Sequence, residues 1–192
     1  RFYEGRDVTQ NKKEALNLFK LSAENGIVTS QLYLGWMYYQ GMETQKDDLK
    51  AFKWWKLAAE QVNDEDQNSL HRGEWNMYSI ENFSEYSLLQ RSENALGQMY
   101  EQGRIVQQDY KEAVRWYRHA IRKQFLNDYC MQDCYIYSHY PEAPYNLGLM
   151  YANGQGVPKD YLLAYMWWSI ANSDDASDYN QICISVGISK KN

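Results

Sequence analysis

Tyr145-Asn146-Leu147-Gly148-Leu149-Met150-Tyr151, then Gly154-Gln155-Gly156-Val157-Pro158-Lys159-Asp160-Tyr161, then Ala164-Tyr165-Met166-Trp167-Trp168-Ser169-Ile170-Ala171 is the stretch that decides the fold. Its pieces recur upstream at fixed spacing. Leu34-Gly35, Met37, Tyr38 and Gly41 repeat as Leu96-Gly97, Met99, Tyr100 and Gly103. In all three copies the Leu-Gly glycine stands sixteen residues before an alanine: Gly35 before Ala51, Gly97 before Ala113, Gly148 before Ala164. A fixed internal period is the mark of a repeat protein, in which each helix–turn–helix unit buries its apolar face only against its neighbours.

Each copy reads as two helices. The glycine after the Tyr ends the first, because a residue without Cβ leaves a helix through the left-handed region at no steric cost. Asp47, Asp109 and Asp160 stand four residues before the alanines, in the N-cap place of the second helix, where a carboxylate accepts from unpaired backbone N–H groups. Asp109 with Glu112, and Asn11 with Glu14, also fit a capping box. The second helices carry apolar residues at i, i+3, i+4 and i+7: Ala51, Trp54, Trp55, Ala58; Ala113, Trp116, Tyr117, Ala120; Ala164, Trp167, Trp168, Ala171. The expected helices are Ser30–Gln40, Ser92–Gln102 and Ala143–Asn153 as first helices, and Lys12–Asn25, Asp48–Gln61, Tyr110–Lys123 and Tyr161–Asn172 as second helices. Trp54, Trp116 and Trp167 share a repeat position and are expected in the core.

A partial copy precedes these three. Phe2 and Gly5 precede Ala15 as Tyr38 and Gly41 precede Ala51, and Leu18, Phe19 and Ser22 continue the stripe. Its Leu-Gly would fall before Arg1, so the native polypeptide is expected to extend further towards its N-terminus. At the other end Tyr179, Ile182, Cys183 and Val186 have helical spacing, and a closing helix is expected there, covering the last apolar face.

These motifs resemble the Sel-one-like repeat (SLR) family, a branch of the tetratricopeptide-like solenoids. The resemblance covers about two-thirds of the chain and is carried by Leu-Gly-x-Met-Tyr, the Gly154-x-Gly156-Val157 turn and the Asp cap, in order. It implies an all-α, right-handed superhelical solenoid of antiparallel helix pairs and a non-enzymatic protein-binding role. The organisation expected is one solenoid: a partial repeat over 1–27, repeats over 28–61, 92–123 and 141–172, insertions over 62–91 and 124–140, and a cap over 173–192.

The insertions follow from subtraction. Ala15 to Ala51 is 36 residues, Ala51 to Ala113 is 62 and Ala113 to Ala164 is 51, leaving 62 − 36 = 26 and 51 − 36 = 15 extra residues. Both lie after a second helix, and per-repeat insertions commonly form loops on a binding face. The first carries Asp64, Glu65 and Asp66 and reads as loop through about Trp75, with Phe83, Tyr86 and Leu89 extending the next helix backwards. The second is aromatic, with Tyr135 and Tyr137 beside Cys130 and Cys134. Each insertion is either decoration packed on the solenoid or a recognition element, with Asp64, Glu65, Asp66, Trp75, Tyr135 and Tyr137 as the contact candidates.

Composition argues against several classes. A net charge of −5 and a pI near 5.3 speak against nucleic acid or an anionic membrane as the partner, and no apolar run approaches the ~18 residues of a membrane span. Three cysteines are too few for a disulfide-built scaffold and leave the compartment open, with a periplasmic or secreted location slightly favoured. Cys130, Cys134 and His139 supply three potential ligands where structural zinc takes a closed set of four, so no metal is expected. No nucleophile elbow, phosphate loop or His-Glu-x-x-His is present. No catalytic residue, cofactor or small-molecule substrate is expected.

A surface that holds another protein remains. By resemblance to tetratricopeptide-like solenoids, first helices line the concave side, and the partner-facing positions just outside the packing set are Leu32, Trp36, Tyr39 and Gln40; Asn94, Gln98, Glu101 and Gln102; Tyr145, Leu149 and Asn153. Trp36, Tyr39 and Tyr145 are the expected anchors, with the first insertion as an acidic flank. The principal reading is an adaptor. The alternative is an immunity or inhibitor protein that neutralises a bacterial secreted toxin, such as a type VI secretion effector; a hydrolytic enzyme is the remotest.

Overall fold

The structure, a computed structural model, describes residues 12–69, 83–125 and 140–172. Among them seven α-helices and no strand occur: α1 Lys12–Glu24, α2 Val28–Gln40, α3 Asp48–Ser69, α4 Phe83–Gln102, α5 Tyr110–Phe125, α6 Glu142–Asn153 and α7 Tyr161–Ala171. The architecture is the all-α solenoid of helix pairs expected from the repeats. Asn11, the closing-helix residues, Cys130, Cys134 and the insertion candidates Trp75, Tyr135 and Tyr137 lie outside the described residues.

The helix ends have a repeated cause. Gly41, Gly103 and Gly154 all have φ between 66° and 72°, the left-handed conformation that lets the chain turn out of α2, α4 and α6. Six residues later the chain is tied back. The backbone N–H of Asp47 donates to the Tyr38 carbonyl at 2.9 Å, Asp109 to Tyr100 at 3.0 Å and Asp160 to Tyr151 at 2.9 Å. The same aspartates cap the second helices through Oδ1, which accepts from Lys50 N, from Lys111 N and Glu112 N, and from Leu162 N and Leu163 N. Such a cap contributes on the order of 1 kcal/mol.

The capping box at Asp109 does not close. Its reciprocal half needs the Asp109 N–H, which already donates to Tyr100, and Glu112 instead accepts from Arg115 Nη1 at 3.2 Å.

The first insertion agrees with expectation in its later part and differs in its earlier part. Helix α4 starts at Phe83, so the later part of the first insertion does extend the next helix backwards. The earlier part is not loop from Val62 onwards, because α3 runs on to Ser69 and takes Asp64, Glu65 and Asp66 into its last turns. No glycine or proline intervenes before Gly73 to stop it.

The chain divides into two compact units, Arg1–Ser92 and Glu93–Asn192. In the first, α2 packs against both α1 and α3. Ser22 and Ser30 hydroxyls meet at 2.7 Å between α1 and α2, and Gln31 Nε2 donates to the Ala23 carbonyl at 3.2 Å. In the second, Ala113, Val114, Tyr117, Ala120 and Ile121 of α5 form one cluster with Ala143, Leu147 and Met150 of α6. In this copy Leu147 and Met150 of the repeat motif are therefore the residues that face the preceding second helix.

Within each pair the Leu-Gly glycine acts as a notch. A Cβ on Gly35 would stand 2.5 Å from Trp55 Nε1, on Gly97 2.5 Å from Tyr117 Cε1 and on Gly148 2.5 Å from Trp168 Nε1. The aromatic four residues after each repeat alanine sits against its own first helix at this glycine, where a Cβ would meet the ring. This corrects the expectation for the core. Trp55 and Tyr117 are buried and Trp54 is half-buried, whereas in the last copy Trp167 and Trp168 are both half-buried; Trp116 alone of the expected trio is deeply buried.

Candidate partner-binding face

The notch fixes where each aromatic tip can bond. Trp55 Nε1 donates to the Leu32 carbonyl at 3.2 Å and Trp168 Nε1 donates to the Tyr145 carbonyl at 3.2 Å. Both carbonyls lie three residues before the glycine, and each spends a second lone pair on the indole while serving its own helix. Tyr117 carries its polar group at the far end of the ring and cannot repeat that bond. Its hydroxyl donates instead to Glu101 Oε2 at 2.6 Å. Burial first, and then the Glu101 carboxylate, push the Tyr117 hydroxyl above its ordinary range.

Several residues expected at the partner surface are thereby in structural use. Leu32 and Asn94 are each 3% exposed, so neither faces a partner. Asn94 Nδ2 donates to the Tyr140 hydroxyl at 3.3 Å, and its Oδ1 accepts from Asn146 Nδ2 at 3.0 Å. An amide side chain satisfied this way joins α4 to α6. Glu101 is held by Tyr117. Tyr39 packs against Trp55 with ring centroids 5.2 Å apart and has Lys46 Nζ 5.2 Å above its ring, so it does have a packing duty.

What stays accessible forms a short row in each unit. In the first, Trp36 is half-exposed and Gln40 exposed on α2. In the second, Gln98 is half-exposed and Gln102 exposed on α4, while α6 presents Tyr145, Leu149 and Asn153 at i, i+4 and i+8. Tyr145 is 50% exposed, at the repeat position where Leu32 and Asn94 are buried. Its ring lies 6.4 Å from that of Trp168, which steadies it without covering it. Asn153 Nδ2 donates to Gln155 Oε1 at 3.2 Å.

Sequence spacing placed these residues on the first helices but did not separate the buried from the open. The one available signal was polarity against the repeat: Asn94 and Asn146 stand in a packed helix layer, and amides there need one another.

Among the described residues no group of three His, Cys, Asp or Glu converges, and no helix is long and apolar enough to cross a membrane. An exposed Tyr beside a half-exposed Leu, flanked by amides, offers apolar area and hydrogen bonds to a polypeptide.

Four stretches of the chain, residues 1–27, 28–63, 90–125 and 141–174, match the family described as Sel1 repeat. Among solved structures the chain is similar to c5321, described as a protective antigen present in uropathogenic Escherichia coli strains displaying an SLR fold. Identity is 24% and the TM-score 0.62, over 98% of this chain and 31% of that one. The chain thus spans less than a third of the length of c5321, and the likeness concerns the fold alone. It is also similar to a Sel1 repeat protein from Oxalobacter formigenes, with 26% identity and a TM-score of 0.54 over 88% of this chain and 96% of that one. No curated protein matches it.

Proposed function

Because the chain belongs to the Sel1 repeat family, we propose that it is an adaptor that holds a segment of a partner protein on the open sides of its first helices. Sel1 repeat proteins are generally protein-interaction scaffolds and typically non-catalytic.

The observation that supports this reading is Tyr145. Its position is a packing place in the other two copies, yet here it carries a large aromatic that is half-exposed, next to Leu149 and Asn153 along the same face. Tyr is a common anchor at binding hot spots, because it offers much apolar area at little rotamer cost. Trp36 is the corresponding anchor in the first unit, ahead of Tyr39, whose ring already serves Trp55 and Lys46.

The test begins with a partner captured on the immobilised chain and identified. Its affinity is then measured for Tyr145→Ala, Leu149→Ala and Trp36→Ala, each first shown to keep the helical signal of the parent. Tyr145→Ala is expected to weaken binding by roughly tenfold or more. Unchanged affinity in all three, with loss on deleting part of the 62–91 insertion, overturns the adaptor reading and favours an inhibitor that blocks a toxin with its insertions.

A further inference from the structure

The second helices can be compared position by position, because all four carry the repeat alanine. At the places two before it, two after it and five after it, α1 has two cations, Lys13 and Lys20; α3 has two, Lys53 and Lys56; α7 has none. In α5 all three places are cationic: Lys111, Arg115 and Arg118. Each is exposed, and steps of four and three residues put them on one stripe of the helix, about 10 Å long. The concentration stands against the charge of the chain. Within Tyr110–Phe125 five Lys and Arg stand against one Glu, a net +4, so the remainder carries −9, since −5 − 4 = −9.

An exposed cation is ordinarily left to solvent, but two of these are held in place. Arg118 Nη2 donates to the Tyr151 hydroxyl of α6 at 2.7 Å, which fixes the guanidinium and leaves four of its five N–H donors. The phenol oxygen accepts that bond, and its own proton goes to no acceptor among the described residues. Arg115 lies against the Trp116 ring, with Cζ 5.6 Å from the centroid, and pairs with Glu112 at 3.2 Å. Among the described residues no carboxylate pairs with Lys111 or Arg118. Three cations and one carboxylate leave two charges uncompensated, and guanidiniums already held lose little freedom when a ligand arrives.

A guanidinium fork matches a carboxylate or a phosphate. The distribution of charge chooses between their sources. A nucleic acid or an anionic membrane carries negative charge far beyond this row and meets the acidic remainder of the chain. An acidic peptide segment puts its charge on the row alone, and a screening length of about 8 Å at physiological salt hides most of the remainder from it.

We propose that the exposed stripe of α5 is a second recognition surface, for an acidic segment of a partner protein. Arg118 and the Tyr151 hydroxyl take one carboxylate, and Arg115 with Lys111 takes another about one helical turn away. The surface lies on a second helix and does not rest on the reading of the first-helix row.

The full chain is titrated, at about 0.15 M salt, with a labelled Ala- and Gln-rich helical peptide carrying two Glu residues one turn apart. The same peptide with Gln in place of Glu is the blank. The Glu peptide is expected to bind at least roughly tenfold more tightly than the blank. Arg118→Lys keeps the charge but loses the fork, and Tyr151→Phe keeps the ring but loses the proton; each is expected to weaken binding by roughly threefold or more with the helical signal unchanged. Lys53→Gln on α3 should bind as the parent does. Equal affinity for the two peptides overturns the proposal. Parent affinity in both Arg118→Lys and Tyr151→Phe also does, because diffuse attraction then explains the binding. So does a single-stranded oligonucleotide or an anionic vesicle that displaces the peptide while binding more tightly, which assigns the row to a polyanion.

Discussion

The Tyr117 hydroxyl reaches Glu101 Oε2 across 2.6 Å, linking the second helix of one repeat to the last turn of its own first helix. The two positions change together. Where the second helix carries Trp55 or Trp168, the place of Glu101 holds Tyr39 or Ala152, and the indole bonds a backbone carbonyl instead.

The pair should therefore behave as a unit. In a double-mutant cycle with Tyr117→Phe and Glu101→Gln, the coupling energy is expected at about 1–2 kcal/mol, as for a charge-assisted hydrogen bond that is largely out of water. Single-variant costs that add to within ~0.3 kcal/mol in urea melts would show that the bond contributes nothing specific.

Gly97→Ala should have the opposite sign to the usual rule. In an unobstructed helix interior the change stabilises by roughly 1 kcal/mol. Here the new methyl meets the Tyr117 ring, and an overpacking loss of about 1–3 kcal/mol is expected. A gain in thermal midpoint would show that the notch is not required.

The three tryptophans at one repeat position should rank by burial. Trp116→Ala is expected to cost on the order of 3–5 kcal/mol, a large share of a typical total of roughly 5–15 kcal/mol. Trp54→Ala and Trp167→Ala, both half-buried, should each cost less by at least about 1 kcal/mol. Equal losses in denaturant melts would contradict this order.

Asp47 supplies a pH dependence. The Lys50 backbone N–H, and then its ammonium at 3.0 Å, hold the Asp47 carboxyl below its ordinary value of 3.8. A carboxyl depressed on folding stabilises above its unfolded value, and that contribution is lost as pH falls through the folded one. Asp47→Asn keeps the cap but removes the charge. The stabilities of parent and variant, measured from pH 7 down to about pH 2, are expected to differ at neutral pH, with the gap narrowing below 3.8 and closing once the pH has fallen through the lowered folded value. A constant gap would assign the difference to the cap geometry alone.

The sequence by itself determined the period, the helix pairs and the turn inside each pair. Each rests on local chemistry: a glycine that tolerates positive φ, an aspartate that satisfies free N–H groups, and apolar residues returning every 3.6 positions. The sequence did not decide which of two adjacent aromatics, Trp54 or Trp55, turns inward, because both lie on the apolar stripe and the choice is made by the notch at Gly35 on another helix. Nor did it show that Leu32 and Asn94 are buried while Tyr145 is half-exposed. Those outcomes depend on which helix lies alongside and on which side chain claims which hydrogen bond, and only the tertiary packing brings those groups together.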